Sequence, residues 1–176
     1  IYVRIRSKAS EKQIFYARQT GNTSREPGGA VTMVYTGGPG AGACWYAYMV
    51  NYSQADEGWG PMLYDVAMEW ATVMGGGLIA DRTAVSPEAR RVWDYYFMRR
   101  GDATAHQLDN LANELTPEIE EDNCDQTVAG FEIEGPDHWD SPRVDVDWVK
   151  SPLSKRYTAP PMMMDKLSAA GKLMEK

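Results

Sequence analysis

The chain has few of the residues that cross-link small secreted proteins or bind metal ions. Its 176 residues include two cysteines, Cys44 and Cys124, and two histidines, His106 and His138. Two cysteines in a chain long enough to bury its own core indicate free thiols in a reducing compartment. These four residues also lack the spacing of a zinc site. We therefore expect a cytoplasmic protein without a metal ion.

A basic surface and a long apolar run are missing too. The formal net charge is −7 at pH 7, whereas proteins that bind nucleic acid present a basic face. No apolar run approaches the ~20 residues that a transmembrane helix needs. The composition thus predicts neither nucleic acid nor a membrane as a partner. It weakly favours cationic partners such as amines, and it leaves the oligomeric state open.

The residues that are present are sufficient for a hydrophobic core. Hydrophobic residues make up 43% of the chain, and six of its residues are tryptophan. The length fits one domain, or one domain with an appendage. We predict a core domain over residues 1–110 and a C-terminal extension over residues 111–176 that packs on it.

Hydrophobic periodicity predicts the order of elements in the first two thirds of the chain. Alternation over residues 1–6 predicts a strand, and Ser10 as a cap predicts a helix as far as Thr20. Residues 21–29 are turn-rich. Farther along, the pattern predicts strands over 30–35, 45–52 and 78–81, and helices over 62–74 and from Ser86 to Gly101.

The pattern beyond residue 102 is weaker. It predicts a short helix over 108–115 and an acidic loop over 118–125. Strands over 131–134 and 144–149, a loop over 151–161 and an amphipathic tail helix over 162–175 complete the chain.

Gly58-Trp59-Gly60-Pro61, between the predicted central strand and the helix over 62–74, is the most informative motif. A tight glycine turn at a helix N-terminus offers unpaired backbone N–H groups to an anion, usually a phosphate. The glycine run over 37–42 is different, because Ala43-Cys44 stands where a phosphate-binding P-loop needs Lys and Ser or Thr. We reject a P-loop there.

The order strand, Gly-x-Gly turn, helix, strand, helix resembles the core of the GNAT superfamily of N-acetyltransferases. Residues 55–60 occupy the place of that family's Arg/Gln-x-x-Gly-x-Gly/Ala loop, and Val50 that of its strand valine. Residues 86–93 partly match its later Asn-x-x-Ala-x-x-Leu-Tyr motif. The resemblance covers residues 30–102. The chain also resembles acetyltransferase-like proteins of some tailed bacteriophages.

This resemblance implies an α/β (α+β) fold with a mixed, mostly antiparallel sheet and flanking helices. It implies transfer of an acetyl group from acetyl-CoA to an amine of a small molecule or protein. The implied cofactor-binding residues are Tyr48, Val50, Glu57, Gly58, Trp59, Gly60 and Ser86. Tyr96, one turn beyond Trp93, is the candidate acid that protonates the thiolate, and Asp81 is the candidate base.

The chain departs from the family pattern at five positions. Trp93 stands where the family often has a tyrosine that protonates the departing thiolate. Ala55 replaces Arg or Gln, Pro61 removes a backbone N–H, and Asp56 and Glu57 bring negative charge toward a pyrophosphate. These departures support an alternative, a non-catalytic protein of the same fold that serves as a binding or structural module, for example in a phage virion. A third hypothesis is an unrelated α/β binding domain whose glycine turn is only a turn.

Overall fold

The protein is built on one eight-stranded mixed sheet, with helices against it. The computed structural model describes residues 2–8, 11–20, 24–37, 46–81, 85–108, 131–133, 143–145 and 148–175. The strands of the sheet are β1 (Tyr2–Lys8), β2 (Glu11–Thr20), β3 (Ser24–Tyr35), β4 (Tyr48–Ala55), β5 (Leu78–Ile79), β6 (Thr104–Gln107), β9 (Lys155–Thr158) and β10 (Leu173–Glu175). Strands β7 (Phe131–Ile133) and β8 (Arg143–Asp145) pair with each other in a separate hairpin-like sheet.

The strand order in the large sheet is β10-β1-β2-β3-β4-β5-β9-β6. The pairs β1–β10 and β4–β5 are parallel, and the other pairs are antiparallel. The fold is therefore a mixed α/β arrangement of the α+β kind, as the sequence predicts at that level.

In the described part of the chain, three α-helices accompany the sheet: α1 (Gly60–Gly75), α2 (Pro87–Met98) and α3 (Met162–Ala169). Helix α1 joins β4 to β5, because a parallel pair needs a crossover connection. Its buried residues share one core with β1 to β5, α2 and β9. Single 3₁₀ turns at Trp148–Lys150 and Pro152–Ser154 lead into β9. Among the residues described, no helix combines the length and apolar character needed to cross a membrane.

The helix predicted from Ser10 to Thr20 is wrong, because Glu11–Thr20 form strand β2. Ile14 and Tyr16 are fully buried on the α1 side of the sheet. The strand pairs along its length with both β1 and β3. Pairing on two sides satisfies the backbone of β2 and outweighs the helix-favouring residues within it.

Other boundaries also differ from those that the sequence predicts. The turn-rich segment over 21–29 contains the first half of β3, which begins at Ser24, and the loop over 151–161 contains β9. The tail helix ends at Ala169, where Gly171 has a φ of +65° and turns the chain into β10. The predicted strand over 45–52 is β4, displaced by three residues. The helix over 108–115, the acidic loop, His138 and both cysteines lie outside the described residues, apart from Leu108.

Two strands near the C-terminal end of the chain, β9 and β10, belong to the same sheet as the N-terminal strands. Strand β9 lies between β5 and β6, and β10 pairs with β1 at the opposite edge. The predicted boundary between residues 110 and 111 thus separates β6 from β9, although the two are hydrogen-bonded neighbours.

A β-bulge in β4, the central strand, determines on which face of the sheet each of its side chains lies. Thr32 pairs with Tyr52 and Met33 with Val50, so Asn51 is an extra residue. A bulge changes which face the following side chains occupy. Val50 therefore belongs to the core on the α1 side, whereas Tyr52 lies on the opposite face.

A buried carboxylate holds α3 against α1. Glu69 is only 1% exposed, and its two oxygens accept the backbone N–H groups of Met163, at 2.8 Å, and Met164, at 2.7 Å. Burial raises the pKa of the Glu69 carboxyl, and these two hydrogen bonds act in the opposite direction. One side chain on α1 thus satisfies two of the unpaired N–H groups at the start of α3.

We expect Glu69→Gln to destabilise the protein by about 1–3 kcal/mol, because an amide offers one acceptor oxygen to two donors. Urea unfolding, or a fall in Tm of about 2–4 °C per kcal/mol, measures the loss. Glu11→Gln is the matched control, since Glu11 is exposed on β2. Equal stability of the two variants would contradict the capping role.

Candidate functional site

The sheet opens between β4 and β5, and a cleft lies in the opening. The two strands pair only at Tyr48–Leu78 and Met49–Ile79, while β4 continues to Ala55. Beyond the paired positions, a cavity separates the end of β4 from the start of α2. The cavity has a volume of about 500 Å³ and is lined by Val31, Ser53, Gln54, Ala55, Asp56, Glu57, Gly58, Gly60, Pro61, Leu63, Tyr64, Ser86, Glu88, Ala89 and Val92.

The floor of the cleft is the glycine turn that starts α1. Gly58 has a φ of +82°, a left-handed conformation that favours glycine. Trp59 is the N-cap residue, and its side chain does not cap the helix. Pro61 stands in the first turn, where its missing N–H costs no helical hydrogen bond. The helix therefore starts at the cleft with its first N–H groups uncapped by a side chain.

Tyr16 on β2 supports this turn from beneath. Its hydroxyl donates to the carbonyl oxygen of Gly28 at 2.5 Å and accepts the backbone N–H of Asp56 at 3.3 Å. Its ring lies 5.2 Å, centroid to centroid, from the ring of Trp59. A Cβ on Gly28 would come within 2.2 Å of the Tyr16 ring, so only glycine leaves room for this contact.

The start of α2 forms the opposite wall. The Ser86 hydroxyl accepts the backbone N–H of Ala89 at 3.3 Å and so caps its own helix, as the sequence predicts. Because Ser86 and Ala89 both line the cavity, the capped helix end faces the cleft.

A hydroxyl pair that the sequence analysis missed lies inside the cleft. Tyr64, which is 3% exposed, donates to the hydroxyl oxygen of Ser53 at 3.1 Å. Burial raises the pKa of Tyr64. Its ring meets the ring of Trp93 edge-on at 5.6 Å, which fixes its orientation. The only sequence signal for Tyr64 is its place one turn into α1, and this also fits an ordinary core residue.

Tyr96, the predicted acid, lies in a buried network behind the cleft. Its hydroxyl donates to Oδ1 of Asp65 and lies 3.3 Å from the Pro61 carbonyl oxygen. Asp65 also accepts from Nη1 of Arg100 at 2.5 Å, and Arg100 binds Asp102 through two further nitrogens. Burial and the Asp65 carboxylate raise the pKa of Tyr96 well above its usual range. Tyr96 is not among the lining residues of the cleft.

The predicted cofactor residues divide into two groups. Glu57, Gly58, Gly60 and Ser86 line the cavity. The side chains of the other three are packed elsewhere: Val50 is 6% exposed in the core, the Tyr48 ring packs on Trp70 and Tyr35, and the Trp59 ring packs on Tyr16. Asp81, the predicted base, follows β5 and is not a lining residue either.

The charge at the cleft is negative. Asp56, Glu57 and Glu88 line it and are all exposed, and no lysine or arginine is among its lining residues in the described part of the chain. Such a rim attracts cations and opposes anions, with a strength that depends on salt.

Comparison of the chain with protein-family models, with curated proteins and with solved structures finds no match in any of the three. Within the described ranges, no group of three or more His, Cys, Asp or Glu side chains is arranged to hold a metal ion. The assignment of a function therefore depends on the cleft itself.

The two glycines of the turn should respond differently to substitution. We expect Gly58→Ala to cost about 1–2 kcal/mol, because a left-handed conformation strains an L-residue. Gly60→Ala should change stability by less than about 0.5 kcal/mol, since Gly60 has an ordinary φ and its Cβ would meet only Ala55, at 4.0 Å. Chemical denaturation measures both. A large loss for Gly60→Ala would show that the space above Gly60 is not open.

Proposed function

We propose that the protein is an acetyl-CoA-dependent N-acetyltransferase that acts on an amine of a small molecule or protein. The observation that supports this best is the cleft beside the half of β4 whose β5-side edge has no partner strand among the described residues, with a glycine turn and an uncapped helix N-terminus at its base. Backbone N–H groups and the helix dipole favour an anion there, and pyrophosphate is the anion of coenzyme A. The resemblance to the GNAT superfamily supports the same assignment.

The turn has room for a phosphate to approach the backbone. A Cβ added to Gly58 would meet no atom within 4 Å, and one added to Gly60 would only touch Ala55. The space that larger side chains would fill is therefore open at both positions. The backbone N–H of Trp59 already donates to the Asp56 carbonyl oxygen at 3.1 Å. Gly58, Gly60 and Ser86 would therefore hold the pyrophosphate, and the edge of β4 that faces the cleft would hold the pantetheine arm by backbone hydrogen bonds.

The bound donor would supply an activated acyl thioester, and the chain would position it and move protons. A backbone N–H on the edge of β4 that faces the cleft would polarise the thioester carbonyl. An acid is needed for the departing thiolate, and Tyr64 is the phenol that lines the cleft. Its raised pKa keeps it protonated at neutral pH, and Ser53 accepts its hydrogen bond. Asp81 stays the proposed base, and because it is not among the lining residues of the cleft it would take the proton through a water molecule.

The negative rim favours an amine as the acceptor. An ammonium group approaching the cleft would meet Asp56, Glu57 and Glu88, whose charges raise its local concentration. It must then lose a proton before it attacks the thioester carbonyl.

The same rim supports a second candidate function, a non-catalytic binding or structural module of this fold. A pyrophosphate at the turn would lie near these carboxylates without a cation among the described lining residues to offset them. A cleft that binds no acyl-CoA would fit such a role, for example in a phage virion.

Titration with acetyl-CoA and coenzyme A tests the proposal. Ligand at ~100 times its Kd should add about 2.7 kcal/mol of stability, or about 5–10 °C in Tm for a chain of this size. Gly60→Glu should abolish the shift, because it places bulk and charge in the cradle, while Gly60→Ala is the matched control.

Calorimetry and turnover with a panel of amines separate the two candidates. Binding with turnover supports the transferase. Binding without turnover, or no shift at millimolar ligand, supports the non-catalytic module.

Substitution of the two tyrosines tests the acid. We expect Tyr64→Phe to lower kcat by about 10²-fold and to remove the basic limb of its pH profile. Tyr96→Phe should instead cost about 1–2 kcal/mol of stability, because Asp65 loses a buried hydrogen bond, and should leave the pH profile unchanged. If Tyr96→Phe alone lowers kcat, the acid is Tyr96, as first predicted.

A further inference from the structure

A second cavity lies on the face of the sheet opposite α1. Side chains alternate between the faces of a strand, and the strand register aligns two rows on this face. One row is Arg6, Gln13, Thr32 and Tyr52, and the other is Arg4, Phe15, Ala30 and Gln54. A groove of about 550 Å³ follows these rows across β1 to β4. Pockets of this volume accept small organic molecules.

Differences in side-chain size give the groove its shape. Ala30 on β3 and the backbone of Gly28 and Gly29 form a low floor between longer side chains on either side, and a Cβ on either glycine would meet the Tyr16 ring on the α1 side instead. On the β4 side stand Tyr52, which is 52% exposed, and Gln54, whose Oε1 accepts the Tyr52 hydroxyl at 2.5 Å. A flat group has room to lie on the floor.

Two arginines give the β1 end of the groove a positive charge. The guanidinium carbon of Arg6 lies 5.2 Å from the centroid of the Phe15 ring, a cation–π contact that holds the side chain in place. Nε of Arg4 is buried and has no hydrogen-bond partner among the residues described. Buried polar groups in folded proteins are nearly always paired, and among the described residues the only exceptions are this atom and Nε of Arg156 on β9. Arg4 is the one of the two that lines a cavity with a second arginine.

The acid that lines the groove is too far away to neutralise the arginines. Asp56 follows β4, three strand spacings or about 14 Å from β1. Its backbone N–H also points back to the Gly28 carbonyl oxygen, at 2.9 Å, which fixes it at that end. Glu11, on the same face of β2, lies opposite Lys8 in the strand register and is not a lining residue of the groove. Among the described lining residues the positive charge of the two arginines is therefore not offset at the β1 end, in a chain of net charge −7.

We propose that the groove binds a small organic anion. Its phosphate or carboxylate would meet Arg4 and Arg6, because a planar guanidinium group can donate two parallel hydrogen bonds to either anion. Its flat apolar part would lie on β3 between Phe15 and Tyr52. This site is independent of acetyl transfer. It shares only Gln54 and Asp56 with the lining of the cleft.

Calorimetric titration with phenyl phosphate and with benzoate tests the proposal and distinguishes the two anions. We expect at least one of them to bind, and Arg6→Gln to weaken that binding at least about tenfold through loss of a charged contact. Lys166→Gln is the matched control. It removes one positive charge from exposed α3 and should change the affinity less than about twofold.

Three further measurements complete the test. Arg4→Lys keeps the positive charge but loses the planar guanidinium group, and it should also weaken binding. In the unaltered protein, the NMR resonance of the Arg4 Nε–H should shift on titration. Gly60→Glu should bind the probe normally, which separates the groove from the cleft. The proposal is overturned if neither probe binds at millimolar concentration, if the arginine variants bind as tightly as Lys166→Gln, or if inorganic phosphate binds as well as phenyl phosphate.

Discussion

The β-bulge at Asn51 is the constraint on which both cavities depend. Without the extra residue, Tyr48, Val50, Tyr52 and Gln54 would share one face, since side chains alternate with a period of two. With it, Val50 stays in the core, Ser53 and Ala55 turn to the cleft, and Tyr52 and Gln54 turn to the groove. One inserted residue thus reverses the alternation of side chains between the two faces of the sheet in the second half of the strand. Bulges are common beside functional sites because they re-aim side chains in this way.

Helix α1 organises the rest of the structure through polar residues placed along its length. Tyr64 reaches Ser53 on β4, Asp65 joins Tyr96 and Arg100, and Glu69 caps α3. Each of these buried groups has a partner, which is the condition under which burial is tolerated. The helix therefore links the glycine turn at its N-terminus to elements that lie more than 30 residues away in the chain.

The elements that sequence could predict are those whose signals are local. Helices α1 and α2, the Ser86 cap and the position of the glycine turn depend on periodicity, proline and capping chemistry within a few residues. Strand β2 could not be predicted, because its residues favour a helix and only pairing with β1 and β3 decides otherwise. Tyr16 was missed with it, although it supports the glycine turn. The bulge was missed as well, because Tyr48, Val50 and Tyr52 alternate without interruption in the sequence.

The cleft and the groove, on the two sides of β4, carry opposite charges, and these charges limit which ligands each cavity can bind. The cleft carries Asp56, Glu57 and Glu88 at its rim, whereas the groove carries Arg4 and Arg6 at its far end. Among the described residues an anion in the cleft must depend on backbone N–H groups and the dipole of α1, which act only at close range. Repulsion from exposed carboxylates is screened by salt, whereas a contact with backbone N–H groups at a helix end is not screened to the same degree. We therefore expect the affinity of the cleft for coenzyme A to rise, rather than fall, as the ionic strength increases.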